Sequence, residues 1–91
     1  EYTATLRMTI GNGAGVLGRV CSLIGETGAN ISDLRFMDRK PDYFLLLIDV
    51  DLRDVQHLHT LTGALSAQDG VAAIERYRNI DLPDAGAAKS G

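Results

Sequence analysis

Residues 2–10 alternate without a break. Tyr2, Ala4, Leu6, Met8 and Ile10 fall on one side, and Thr3, Thr5, Arg7 and Thr9 on the other. That period of two predicts a half-buried strand. A glycine-rich stretch follows, with Gly11, Gly13 and Gly15 inside five residues. Asn12-Gly13 alone reads as a hairpin turn, but the next residues do not alternate. Over 14–27 the apolar positions Val16, Val20, Leu23 and Ile24 recur at helical spacing, with Leu17 and Cys21 on the flank, and Gly28 stands where a helix C′ residue would. Gly18 and Gly25 inside that helix each cost about 1 kcal/mol against Ala, a cost that suggests close packing against a sheet. The three glycines of the loop let the backbone reach positive φ.

Residues 30–39 read as a second strand. Ile31 and Leu34 have opposite parity, which suggests a bulge or an irregular start. Arg39-Lys40-Pro41-Asp42 is a polar turn, and residues 43–51 form a third strand, so the two make an antiparallel hairpin. Val55, Leu58, Leu61 and Leu65 place a second helix over 54–68, with Asp54 favouring its dipole at the start. Asp69-Gly70 closes it, and residues 71–77 form a short fourth strand. From Asp81 onward periodicity is lost, so residues 1–80 are expected to form the domain and 81–91 a flexible tail.

The resulting order is β-α-β-β-α-β, the α+β, ferredoxin-like pattern: a four-stranded antiparallel sheet with two helices on one face. The third strand should turn Phe44, Leu46, Ile48 and Val50 to the core and Tyr43, Leu45 and Leu47 to the uncovered face. Those outward residues are either cover for a partner or scattered surface apolar groups. Two strands are left with unpaired edges, a second reason to expect self-association.

Composition adds boundaries. The chain has 91 residues and a net charge of −3, which suits one small domain and gives no electrostatic footprint for nucleic acid. No apolar run approaches the roughly 18 residues of a membrane span, and no signal peptide is visible. A single cysteine excludes an internal disulfide and fits a reducing compartment. The chain opens on Glu1 rather than Met, as an excised piece of a longer protein, or a processed one, would.

No constellation reads as an active site. Gly13-Ala14-Gly15-Val16-Leu17-Gly18 matches G-x-G-x-x-G, with Asp38 about 20 residues on. A dinucleotide fold, however, needs a crossover helix and a parallel third strand at that point. His57 and His59 are two apart on a helix and so face different ways, unlike a metal pair at i,i+4, and read as surface residues. Cys21 reads as a buried small hydrophobe. Asp49 and Asp51 share a face next to a solvated strand end. RNA-recognition domains share this element order, but they stack bases on aromatics of the central strands. Here those positions hold Thr3, Thr5, Arg7 and Thr9, with Tyr43 alone on the third strand. What remains is the loop itself, whose helix N-terminal N–H groups suit a carboxylate or phosphate.

Asn12, Gly15 and Leu17, followed by Gly28, Asn30 and Ile31, resemble the Asn-x-x-Gly-x-Leu and Gly-x-Asn-Ile motifs of ACT domains. The likeness covers about residues 3–79. Met37-Asp38-Arg39-Lys40-Pro41-Asp42-Tyr43, Ile48-Asp49-Val50 and Asp54 to Leu58 make it most similar to the C-terminal ACT domain of the bifunctional synthetase-hydrolases of guanosine tetra- and pentaphosphate. Acetolactate synthase regulatory subunits and phosphoglycerate dehydrogenases carry similar domains. The resemblance implies a cytoplasmic, non-catalytic domain that needs no cofactor or metal. It would sense an amino acid and control a parent GTP pyrophosphokinase and hydrolase of the stringent response. The ligand would sit between the loop of one copy and the start of the second strand of another. Asn12, Gly13, Ala14, Gly15, Val16, Leu17, Asn30 and Ile31 would form the site. Backbone N–H groups of Gly13 to Val16 would take the carboxylate; Asn12 and Asn30, whose amides both donate and accept, would hold either charged end. Val16, Leu17 and Ile31 would line a wall that suits valine or isoleucine better than serine. The alternative for Asn12 and Asn30 is turn-shaping alone. Implied partners are other domains of the parent and a second copy, with neither DNA nor membrane; the rival role is a protein or RNA contact that docks the parent on the ribosome.

Overall fold

A computed structural model describes residues 2–78; the expected tail lies outside them. The elements are β1 (Tyr2–Gly11), α1 (Val16–Glu26), β2 (Asn30–Arg39), β3 (Tyr43–Leu52), α2 (Val55–Ser66) and β4 (Val71–Tyr77). The strands form one antiparallel sheet in the order β2-β3-β1-β4, so β2 and β4 are the edges. The expected ferredoxin-like arrangement is the one observed.

Alternation on β1 and β3 is converted directly into burial. Leu6, Met8, Ile10, Leu46, Ile48 and Val50 are fully buried and meet Val20 and Ile24 of α1 and Leu58, Leu61 and Leu65 of α2. Both helices therefore cover the same face of the sheet. At the far end of the β2–β3 hairpin, Phe36 meets Phe44 edge-on at 5.2 Å, and the Arg39 guanidinium stands 4.2 Å above the Phe36 ring.

The parity change in β2 is a real irregularity: its register with β3 shifts between Ile31 and Asp33, and again between Phe36 and Asp38. The first shift leaves Ser32 unpaired and reconciles Ile31 with Leu34 on the core side. The second leaves Met37 unpaired and half-exposed on the edge.

Four expectations need correction. Of the three loop glycines only Gly15 has positive φ; the others with that geometry are Gly28 and Gly70. Gly18 and Gly25 are exposed, with nothing within 4 Å of an added Cβ among the described residues, so close packing against the sheet is not their reason. Leu47 lies on the uncovered face, in register with Arg7 and Arg35, yet is only 8% exposed; long arginine stems on both sides are suited to cover such a side chain. Finally, His57 is buried while Val55 is 46% exposed. The apolar stripe of α2 thus runs through His57, Leu58, Leu61 and Leu65.

Candidate ligand site

The loop after β1 is held at three points. The Gly11 N–H donates to Gly70 O at 2.7 Å, and the Asn12 N–H donates to Asp42 O at 3.0 Å. The Asn12 side-chain amide donates to Lys40 O and Pro41 O, at 3.4 and 3.3 Å. Asn12 therefore shapes the turn, and its carbonyl oxygen is the part left over as an acceptor.

Gly15 caps α1 at φ 80, with no side-chain hydrogen bond to the helix start and no acidic residue in the first turn. Val16 N–H is partnered by Gly13 O at 3.3 Å and Arg19 N–H by Gly15 O at 2.9 Å, while the N–H groups of Leu17 and Gly18 have no partner among the described residues. Such orphan donors at the positive end of a helix attract an anion. The guanidinium of Arg19 folds over this end, 3.1 Å from where a Cβ on Gly15 would lie. It forms no ion pair among the described residues. An open groove starts at Gly15 and Arg19 and runs along α1 past Ser22 and Glu26 to Gln68. Ala14 is exposed and Leu17 half-buried. Val16 is buried, and its methyls would stand 2.7 and 3.3 Å from a Cβ on Gly70, so its side chain belongs to the core.

The second half of the expected site follows α1. Gly28, at φ 91, reverses the chain into β2. The Asn30 amide donates to Asp51 Oδ2 at 3.2 Å and lies on the uncovered face. Ile31, in register with Val50, is half-buried on the opposite, core side. Asn30 is also in line with Thr3 through Asp51, so Asn12 and Asn30 stand at opposite ends of β1, about 30 Å apart. One chain does not bring the two halves together.

Sequence reasoning missed Arg19 and His57. A cation one turn inside a helix that lacks an acidic first turn was the available signal for Arg19. For His57 it was Asp54 three residues earlier, whose Oδ1 accepts the His57 N–H at 2.8 Å as an N-cap.

Two charged groups of the uncovered sheet face are tied up within the chain. Asp49 accepts from Thr5 Oγ1 at 2.7 Å and faces Arg35 at 3.4 Å. Its partner Asp33, then Asp49, make the Arg35 guanidinium harder to deprotonate than usual. Burial pushes the Cys21 thiol up, which makes it a poor nucleophile near neutral pH. Among the described residues no group of His, Cys, Asp and Glu could hold a metal ion, and no helix is long and apolar enough to cross a membrane.

Comparison with known proteins gives a consistent pattern. The sequence model of the ACT domain matches residues 1–76. The GTP pyrophosphokinase rsh of Brucella suis biovar 1 is 25% identical over 76 residues, 84% of this chain and 10% of that protein. The chain thus spans about a tenth of the length of the curated relatives it matches. Among solved structures, the ACT domain from GTP pyrophosphokinase of Chlorobium tepidum superposes with a TM-score of 0.73 at 21% identity, over 84% of this chain and 97% of that one. The acetolactate synthase small subunit of Thermotoga maritima gives 0.66 at 22% identity, over 91% and 50%. At these identities the structural likeness speaks for the fold alone.

Proposed function

The chain belongs to the ACT domain family, a family of regulatory domains, and we propose on that premise that it senses a branched-chain amino acid, valine or isoleucine, without doing chemistry itself. The observation that carries this reading is the start of α1, where, among the described residues, the N–H groups of Leu17 and Gly18 are free, the Arg19 guanidinium above them forms no ion pair, and no acidic residue of the first turn competes. An α-carboxylate meets both needs of that site, charge and hydrogen-bond acceptors. The carbonyl oxygens of Asn12 and of Asn30 are free to accept from the α-ammonium group, and Leu17 and Ile31 supply the apolar wall.

A second copy supplies the second half. β2 is an edge strand that runs parallel to β1, so pairing two β2 edges antiparallel sets the Asn30 end of one copy beside the Arg39 end of the other. That end carries the Lys40–Pro41 turn to which Asn12 is tied. The likeness to GTP pyrophosphokinases supports a cytoplasmic parent that makes or degrades guanosine tetra- and pentaphosphate, with this domain setting the balance. A ligand shifts such a balance only through its different affinity for two states, with coupling of about 1–3 kcal/mol.

The test is an NMR titration of the domain with each of the twenty amino acids. Valine or isoleucine is expected to shift the amides of residues 14–18 and of Asn30 and Ile31, and serine to bind more weakly. Ala14→Asp puts a carboxylate in the anion position while favouring the helix dipole, so it should leave the fold intact and remove binding. Tight valine binding by folded Ala14→Asp protein would place the ligand elsewhere. Shifts with no amino acid at all, together with pelleting of the domain with ribosomes at moderate salt, would favour the docking role instead.

A further inference from the structure

Among the described residues His57 is the only buried polar side chain, 3% exposed, and both its ring nitrogens are engaged. Nδ1 accepts the backbone N–H of Arg53 at 3.1 Å, and Nε2 lies 2.7 Å from the carbonyl oxygen of Thr27, the C-cap of α1. An accepting Nδ1 carries no proton, so Nε2 carries it and donates to Thr27. One neutral imidazole therefore bridges the entry to α2 and the exit from α1. The bridge is anchored on both sides. On the α2 side, Asp54 Oδ1 accepts the His57 N–H. On the α1 side, Thr27 N–H is shared between Leu23 O and Ile24 O, and Ala29 N–H reaches Ile24 O at 3.3 Å. Asn30 begins β2 immediately afterwards.

A proton added at Nδ1 has no acceptor, because it faces the Arg53 N–H. The charged groups that face the ring add to the problem more than they relieve it. Arg53 Nη1 stands 3.1 Å from the Cβ position of Gly28, with ring atoms Cε1 and Nε2 both 3.9 Å from the same point. The Asp54 carboxylate is engaged with the backbone of His57. From α1 the contact is the Thr27 carbonyl, and the adjacent Glu26 is exposed, without an ion pair among the described residues.

We propose that His57 is a pH-dependent latch that positions the α1–β2 turn, and with it the Asn30–Ile31 half of the amino-acid site. The latch is closed while the ring is neutral and opens as falling pH charges it. The part that concerns ligand affinity rests on the function proposed above; the latch itself does not.

The experiment has two arms. In the ligand-free domain, NMR follows the His57 ring and the backbone amides between about pH 8 and about pH 5, the range in which histidine changes charge. The amides of Arg53, Gly28, Ala29 and Asn30 are expected to move with the midpoint of the His57 ring. They should not follow the exposed His59 ring. In the second arm, valine affinity is measured over the same range. It should fall about fivefold or more in the wild type, the lower end of ordinary coupling. It should stay flat in His57→Gln, whose amide can donate to Thr27 and accept from Arg53 without titrating. His59→Gln should behave as the wild type. Amides at Arg53 and Gly28 that stay still while the His57 ring titrates would overturn the latch. So would an affinity profile in folded His57→Gln that matches the wild type. If no amino acid binds at any pH but the amides follow the ring, the latch stands and the ligand assignment falls. Since the first arm uses the wild type, it decides the matter even if His57→Gln fails to fold.

Discussion

Gly70 occupies a place that admits no side chain. Its φ of 92 is left-handed, its carbonyl receives the Gly11 N–H, and an added Cβ would lie 2.7 Å from Val16 Cγ1. Gly70→Ala therefore combines left-handed strain with overpacking, about 2–4 kcal/mol in all. Urea denaturation should show that loss, and because Val16 begins α1, a loosened ligand loop with it. A loss below about 1 kcal/mol would mean that Val16 can give way. At this scale the sequence was only partly legible. Gly28 as a helix terminator could be read from its place after the stripe. The geometry of Gly70 depends on Val16, far away along the chain, and local pattern carries no trace of it. The burial of His57 was hidden for a similar reason: what makes it tolerable is the Thr27 carbonyl, 30 residues away.

α1 gives the opposite result for glycine. Gly18 and Gly25 lie within the helix, exposed and with open space where a Cβ would go. Gly18→Ala and Gly25→Ala should each raise stability by about 1 kcal/mol, measured by the same denaturation. A loss in either variant would show that the bare surface is in use between copies. The elements themselves were legible because strand and helix periods differ so plainly along β1, α1 and α2. Their ends were less so. α1 starts at Val16 rather than at residue 14 because Gly15 is left-handed. The stripe of α2 was assigned through Val55, since a histidine adds no apolar signal to the neighbouring position. In β2 the first bulge was visible in the parity of Ile31 and Leu34. The second, at Met37, is followed only by the polar residues Asp38, Arg39 and Lys40, which have no preferred side, so pattern could not reveal it.

At the scale of the whole molecule, topology governs the candidate site. The motif residues Asn12 and Asn30 were legible, and so was the strand arrangement; what pattern could not supply was the register of β1, β3 and β2, which sets the two residues about 30 Å apart. Two copies joined through β2, as proposed above, would reunite them. Sedimentation equilibrium should therefore show a mass that rises above that of one chain with concentration, and more so with valine present. A single-chain mass at high concentration, with and without valine, would remove the two-copy site. The same strand order has a consequence for how the domain comes into being. β1, the first strand of the chain, lies between β3 and β4, and Thr5 pairs with Tyr77. During synthesis the chain must carry its central strand without a partner on one side until the last strand has been made. Pairings this distant along the chain slow folding. The alternating apolar run of β1 is then a sticky edge for as long as β4 is missing. A chain that stops before Val71 would keep both helices and still lack a finished sheet.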